Sequence, residues 1–270
     1  SAKEMDYMFS GASVFNRTIA SWNVEAATTM AGMFQDASNF DTAIGDWDVS
    51  HVTDMSFMFD GASLFNQDIS DWDVSDVNSM ENMFRRASSF NAPVGKDVEK
   101  WNVSDVTTMA GMFYGASSFD RSLSNWDVRK VQDMSEMFEG ASVFNQDVSG
   151  WDVSGVTTMA DMFRDAALFN SGIFVLTDAT TDVSGMFEGA SVFNQDVSGW
   201  VVSGVTTMAD MFRDAALFNS GIFGLTDATT DVSGMFEGAS VFNQDVSGWV
   251  VSEVTTMADM FRDAALFDSG

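Results

Sequence analysis

The chain has 270 residues, 46% of them apolar, with 12 basic against 40 acidic residues and a net charge of −28. That apolar fraction is enough for a folded core, while the charge excludes the Lys/Arg clusters that nucleic acids and anionic membrane surfaces require. There is no cysteine and one histidine, His51, which removes disulfides, Cys-based zinc sites and thiol catalysis. No run nears the roughly 18 consecutive apolar residues of a membrane span.

A phrase M-x-x-M-F followed by A-S-x-F-N recurs along the whole chain. Its core phenylalanine falls at Phe9, Phe34, Phe59, Phe84, Phe113, Phe138, Phe163, Phe187, Phe212, Phe236 and Phe261. A fixed period of this length is the signature of a solenoid, in which no unit buries its apolar face alone. One continuous array over 1–270 is therefore expected, with about eleven repeats.

Each unit opens on a phrase such as Trp72-Asp-Val74-Ser, where apolar and polar residues alternate as in a short half-buried strand. Stacked units would pair such segments in parallel, either at the W-x-V piece or at the V-T-x-M piece. Next comes Thr, Asp or Ser (Thr29, Asp54, Ser79), a helix N-cap residue. Met30, Met33, Phe34 and Ala37 then follow the i, i+3, i+4, i+7 stripe of an amphipathic helix. The predicted fold class is an α/β solenoid with one short parallel strand and one short helix per repeat. The Ala column (Ala12, Ala37, Ala62) marks close approach between units.

A second uniform Phe column (Phe15, Phe40, Phe65 and onward) is followed by an Asn ladder at Asn16, Asn66, Asn91, Asn145, Asn170, Asn194, Asn219 and Asn243. Asp41, Asp120 and Asp268 substitute in that column. The predicted role is structural, with the side chain pairing backbone groups at a tight turn; carbohydrate contact is the other use of such a column. Two sequons, at Asn16 and Asn102, match the N-glycosylation pattern but occupy structural columns.

Three irregularities interrupt the period. The interval from Phe84 to Phe113 is 29 residues, and the extra length near 91–100, with Pro93, predicts a surface loop. The intervals from Phe163 to Phe187 and from Phe212 to Phe236 are 24 residues, and there Val175 and Gly224 stand in the Trp column. Residues 151–199 and 200–248 are nearly identical tandem blocks, which points to duplication and to a task that tolerates variable length.

Just after the core Phe, the second half carries Glu139, Arg164, Glu188, Arg213, Glu237 and Arg262, an alternation that predicts a charge ladder between consecutive units. Acidic pairs such as Asp46/Asp48 and Asp71/Asp73 repeat down the array without one distinctive pair, so hydrolytic chemistry finds no unique cleft and no catalytic residue is expected. Calcium along the Asp columns is one use of such acids; solvated or capping carboxylates are the other.

The phrase Phe65-Asn-Gln-Asp-Ile-Ser-Asp-Trp-Asp-Val74, repeated almost letter for letter at Phe144–Val153, resembles the 25/26-residue repeat of bacterial surface proteins, grouped with the BspA-like leucine-rich repeats. The resemblance covers the whole chain. It implies a right-handed, leucine-rich-repeat-like coil on secreted or surface-anchored proteins, often linked to adhesion, and it supplies no catalytic residues. The expected function is a non-enzymatic extracellular structural or adhesive module, acting as a fibre of stacked chains or as a monomer that binds a protein or glycan. No cofactor is expected apart from calcium, and no nucleic acid or direct membrane insertion. The sequence starts and stops inside the repeat, so self-association through open ends is a further expectation.

Overall fold

The computed structural model describes residues 2–95 and 101–268. It shows the repeats stacked in register, but it overturns the α/β reading: among the described residues there is no helix, and regular strands give way to isolated single-residue bridges. The solenoid and leucine-rich-repeat descriptions fall with the helix and the strand on which they rested. What stands in their place is a stack of coils built from consecutive turns.

The bridges are parallel and join one residue per coil to the next: Glu4 to Thr29, Thr29 to Asp54, Asp54 to Ser79, and on to Thr256. The ladder thus falls on the V-T-x-M piece. The W-x-V piece is not a strand; Trp47 N–H returns to the Ile44 carbonyl at 3.1 Å and Val52 N–H to Val49 at 2.9 Å, closing two turns. Trp47 and Val49 are nonetheless buried and Asp48 is exposed, so the alternation described burial without describing a strand.

Beyond the bridge, backbone bonding alternates. The N–H groups of Met30, Gly32, Phe34 and Asp36 cross to the carbonyls of Asp54, Ser56, Met58 and Asp60 at 3.1, 2.8, 2.9 and 2.6 Å. Those of Met33, Gln35 and Ala37 return three residues to Met30, Gly32 and Phe34 at 3.1, 3.0 and 3.0 Å. Every polar backbone group named here is paired without an i−4 bond, which satisfies the demand that normally enforces a helix or sheet. Gly32 (φ 59°) and Asp36 (φ 54°) adopt left-handed backbone, and equivalent residues do so in coil after coil. A left-handed residue at every fourth position cannot continue an α-helix. It is instead what the third position of a type II turn requires.

The predicted cap residues consequently cap turns. Asp54 Oδ1 accepts the Ser56 N–H at 2.8 Å, and Thr108 Oγ1 accepts that of Ala110 at 3.4 Å.

The core consists of aromatic columns running along the stack. Phe34 lies over Phe59 at 5.6 Å between ring centroids and Phe40 over Phe65 at 5.9 Å, while Phe34 and Phe40 stack within one coil at 3.9 Å. Met33, Met58, Ala37 and Ala62 are buried beside them. A third column holds the tryptophans. Trp47, Trp72, Trp101, Trp151, Trp200 and Trp249 each send the indole N–H to a carbonyl of the preceding coil, as Trp72 Nε1 does to Ile44 at 3.2 Å. The exception inside the stack is Trp126, which follows the long interval and whose buried Nε1 has no acceptor among the described residues.

In the two short coils this column is not filled by Val175 or Gly224. Phe174, one residue earlier, stacks between Trp151 and Trp200 at 6.4 Å from each, and Phe223 lies 6.2 Å from Trp200. Val175 points outward, 56% exposed. The same coils replace a buried valine by Thr180 and Thr229, whose hydroxyls donate to the Val156 and Val205 carbonyls at 2.9 and 3.1 Å. Across the long interval the columns stay in phase: Phe84 meets Phe113 at 5.7 Å and Trp72 meets Trp101 at 6.4 Å. The predicted loop near 91–100 lies partly outside the described residues, which omit 96–100.

One column explains the two-coil period of the second half. Asp165 and Asp214 hold left-handed backbone (φ 55° each), and each carboxylate lies over the glycine of the next coil, Gly189 or Gly238. A Cβ on Gly189 would sit 3.3 Å from Asp165 Cγ and closer still to Oδ1. Within the array, a residue with a side chain in this column is followed by glycine one coil on: Asp36 by Gly61, Arg86 by Gly115, Asp165 by Gly189, Asp214 by Gly238.

Candidate functional site

The side chains that could act on a partner are arranged as ladders along the coils. In the Asn ladder, each side-chain oxygen accepts the backbone N–H of the equivalent residue one coil on. Asn16 Oδ1 takes the Asp41 N–H at 3.1 Å, Asn66 that of Asn91 at 2.8 Å, and Asn91 that of Asp120 at 3.0 Å. Asn145, Asn170, Asn194, Asn219 and Asn243 each accept at 2.8 Å from Asn170, Asn194, Asn219, Asn243 and Asp268. Asp41 and Asp120 accept in the same way at 3.0 Å, because the bond needs only an oxygen. The sequon residue Asn16 therefore has its oxygen engaged, and Asn102 Oδ1 accepts the Ser104 N–H at 3.2 Å.

The charged column is uneven. Arg164 Nη2 lies 3.4 Å from Glu188 and Nη1 lies 3.6 Å from Asp161. Arg213 lies 3.2 Å from Glu237, which also pairs with Arg262. Glu139 feels the through-space attraction of Arg164. Burial, with the charges of Asp161, Glu136 and Asp165 around it, pushes its carboxyl up to about 7. Asp161 and Glu188 are likewise raised, chiefly by burial. This face therefore carries more carboxylate than its arginines neutralise.

The same column continues into the first half, where its charges no longer alternate. Asp60, 1% exposed, accepts from Gln35 Nε2 at 3.1 Å and from Arg86 at 3.0 and 2.8 Å, and Arg85 lies 3.9 Å away. Arg85 in turn sits 5.0 Å from the centre of the Tyr114 ring. The signal for this cluster is present in the sequence, since Gln35, Asp60, Arg85 and Tyr114 also follow the core Phe.

The Asp column just after the tryptophans is engaged in Asx turns. Asp48 Oδ1 accepts from the Ser50 N–H at 3.1 Å and its hydroxyl at 2.6 Å, and Asp73 bonds Ser75 in the same pattern. These bonds hold the Asp48 carboxyl below its ordinary range, led by the Ser50 hydroxyl. Among the described residues, no three His, Cys, Asp or Glu side chains converge as metal ligands. Open grooves indent the surface, among them one of about 390 Å³ lined by Ser104, Asp127, Arg129 and Lys130 and another of about 250 Å³ along Asp46, Gln67 and Asp71. In the first, Arg129 pairs with Asp127, and Lys130 with Asp105.

Curated proteins offer no match to the chain. The family described as "Mycoplasma protein of unknown function, DUF285" matches three successive segments, residues 1–96, 92–178 and 175–270. These segments tile the array from one end to the other, and the chain belongs to that family of tandem bacterial repeats.

Proposed function

We propose that the protein is a non-enzymatic structural or adhesive module displayed on the bacterial cell surface. The observation that carries this reading is the equivalence of the coils. Adjacent coils along the array are joined by the same pattern of backbone bonds and aromatic stacks, and the nearly identical blocks 151–199 and 200–248 repeat it almost side chain for side chain. Catalysis needs one coil set apart from its neighbours, with groups of divergent environment in one cleft. A display or spacing function needs only length.

Kinship with the BspA-like group of bacterial surface repeats, drawn from the F-N-Q-D-[IV]-S-x-W-D-V phrase, supports an extracellular location; the leucine-rich-repeat fold is no part of the proposal. The net charge of −28 suits an exposed, soluble surface and disfavours nucleic acid as a partner. Immunolabelling of the organism that makes the protein tests the location. Labelling of intact cells, lost after brief external proteolysis, is expected. Labelling that appears only after permeabilisation refutes the proposal.

A further inference from the structure

The two sequons stand at different places on the coil. Asn16 belongs to the Asn ladder: its Oδ1 accepts the Asp41 N–H one coil on at 3.1 Å, so its amide is held against the neighbouring coil. Asn102 directly follows Trp101, in the column that holds Asp48, Asp73, Asp127 and Asp152 in other coils. There the side chain closes an Asx turn within its own coil, with Oδ1 accepting the Ser104 N–H at 3.2 Å.

That turn needs an oxygen and nothing more. Asp48, Asp73 and Asp152 make the same bond to the N–H groups of Ser50, Ser75 and Ser154, each at 3.1 Å. The amide nitrogen that Asn102 adds is not required to close it. Asn23 makes the bond too, to the Glu25 N–H at 3.1 Å, but Glu25 stands where a sequon has its hydroxyl residue. In this column, Asn102 alone joins an amide nitrogen to a serine two residues on.

Exposure and space suit that pairing. Trp101 and Val103 are buried on either side, at 3% and 1% exposure, while Asn102 lies exposed at the corner between them. In a planar amide whose oxygen turns in on the backbone, the nitrogen is directed away from it. Ser50 and Ser75 also give their hydroxyls to the aspartates before them, at 2.6 and 2.7 Å, whereas Ser104 holds Asn102 through its backbone N–H. Ser104 further lines the open groove of about 390 Å³ with Asp127, Arg129 and Lys130, a polar recess beside the amide. A surface turn is the context in which an N-x-S/T triplet becomes an acceptor.

We propose that Asn102 is an N-glycosylation site, carrying a saccharide on its side-chain nitrogen at the outer corner of the coil beside the Ser104 groove. The donor is a sugar activated as a phosphate or diphosphate ester, and a transferase of the producing organism joins the two. The nitrogen attacks the anomeric carbon, the bond from that carbon to the phosphate oxygen breaks, and the phosphate leaves with the electron pair. The amide gives up one proton, and nothing is oxidised or reduced. Oδ1 keeps its bond to the Ser104 N–H, so the modified chain closes the same turn. The proposal rests on the export inferred above.

The test is tandem mass spectrometry of peptides from the protein isolated from the organism that makes it, alongside Ser104→Ala and Ser104→Thr produced there. A saccharide localised to Asn102 is expected in the wild type and in Ser104→Thr, and its loss in Ser104→Ala. The alanine variant retains Asn102 and the backbone N–H that holds it, so the loss reads the sequon and not the turn. Bare Asn102 in the wild type, or a saccharide that survives Ser104→Ala, overturns the proposal. Surface-labelled cells whose protein has bare Asn102 overturn it and leave the location standing. A saccharide at Asn102 on protein found only inside the cell refutes the location and leaves the site standing.

Discussion

Gly189→Ala tests the packing of side chain over glycine that links consecutive coils. Gly189 has φ 68°, and an added Cβ would meet Asp165 Cγ at 3.3 Å and press on its Oδ1. Left-handed strain on alanine costs about 1–2 kcal/mol. Moving the Asp165 side chain off its rotamer adds about 1 kcal/mol. The smaller conformational freedom of alanine in the unfolded chain returns about 0.4–1 kcal/mol. The net expectation is a loss of about 2 kcal/mol, read by urea unfolding with Trp fluorescence. Adding Asp165→Gly removes the contact but not the backbone strain, so a double-mutant cycle should recover about 1 kcal/mol of coupling. If Gly189→Ala stays within about 0.5 kcal/mol of wild type, or the two substitutions simply add, side chain and glycine are not coupled by packing.

Phe174→Ala should cost about 3–5 kcal/mol, whereas Val175→Ala should fall within about 0.5 kcal/mol of wild type; the same unfolding assay separates them. Asn170→Asp keeps the oxygen that accepts the Asn194 N–H and should be near neutral, while Asn170→Ala loses it and should cost about 0.5–1 kcal/mol. The array should gain stability on mild acidification. Folding raises the Glu139 carboxyl from 4.5 to about 7, so the folded state holds that proton more tightly. Its favourable effect is complete below the unfolded value and is lost as pH rises towards 7. Glu139→Gln should therefore flatten the midpoint profile across that window and, after solvent screening of a half-exposed group, stabilise the chain by about 1 kcal/mol at about pH 8. In strong acid the opposite trend takes over, because Asp147 and Asp152, held low by Ser149 and Ser154, then lose their bonds.

The burial pattern could be read from the sequence, but the backbone could not. Met30, Met33, Phe34 and Ala37 are buried as their spacing predicts, because an apolar stripe reports which side chains face inward. It does not report the path of the chain between them. The clue to that path lies in the glycines of Val183-Ser-Gly185-Met-Phe-Glu-Gly189, four residues apart at positions where left-handed backbone is needed. The Asn ladder was legible because a single oxygen does one job in every coil. The Trp column was misplaced in the short coils because equal alignment put Val175 opposite tryptophan, whereas a ring is needed to fill the space and Phe174 was one residue away. The Asp60 cluster was missed because its column loses its alternating charge at Gln35 and Tyr114, although the position is the same.

The pairing of a side chain with glycine makes the outcome of a single-coil change depend on which coil is involved. Gain or loss of two neighbouring coils, 49 residues in the second half, restores the order Asp, Gly, Asp, Gly across the junction. Loss of one glycine-bearing coil, or gain of one aspartate-bearing coil, sets two left-handed aspartates on consecutive coils, with their carboxylates in the same space. The opposite single change sets glycine on glycine, an order the array already carries at Gly115 and Gly140. Slippage during replication would generate all of these products, and packing opposes the one with neighbouring aspartates. Natural length variants built from this block should therefore keep the aspartates of this column on non-neighbouring coils.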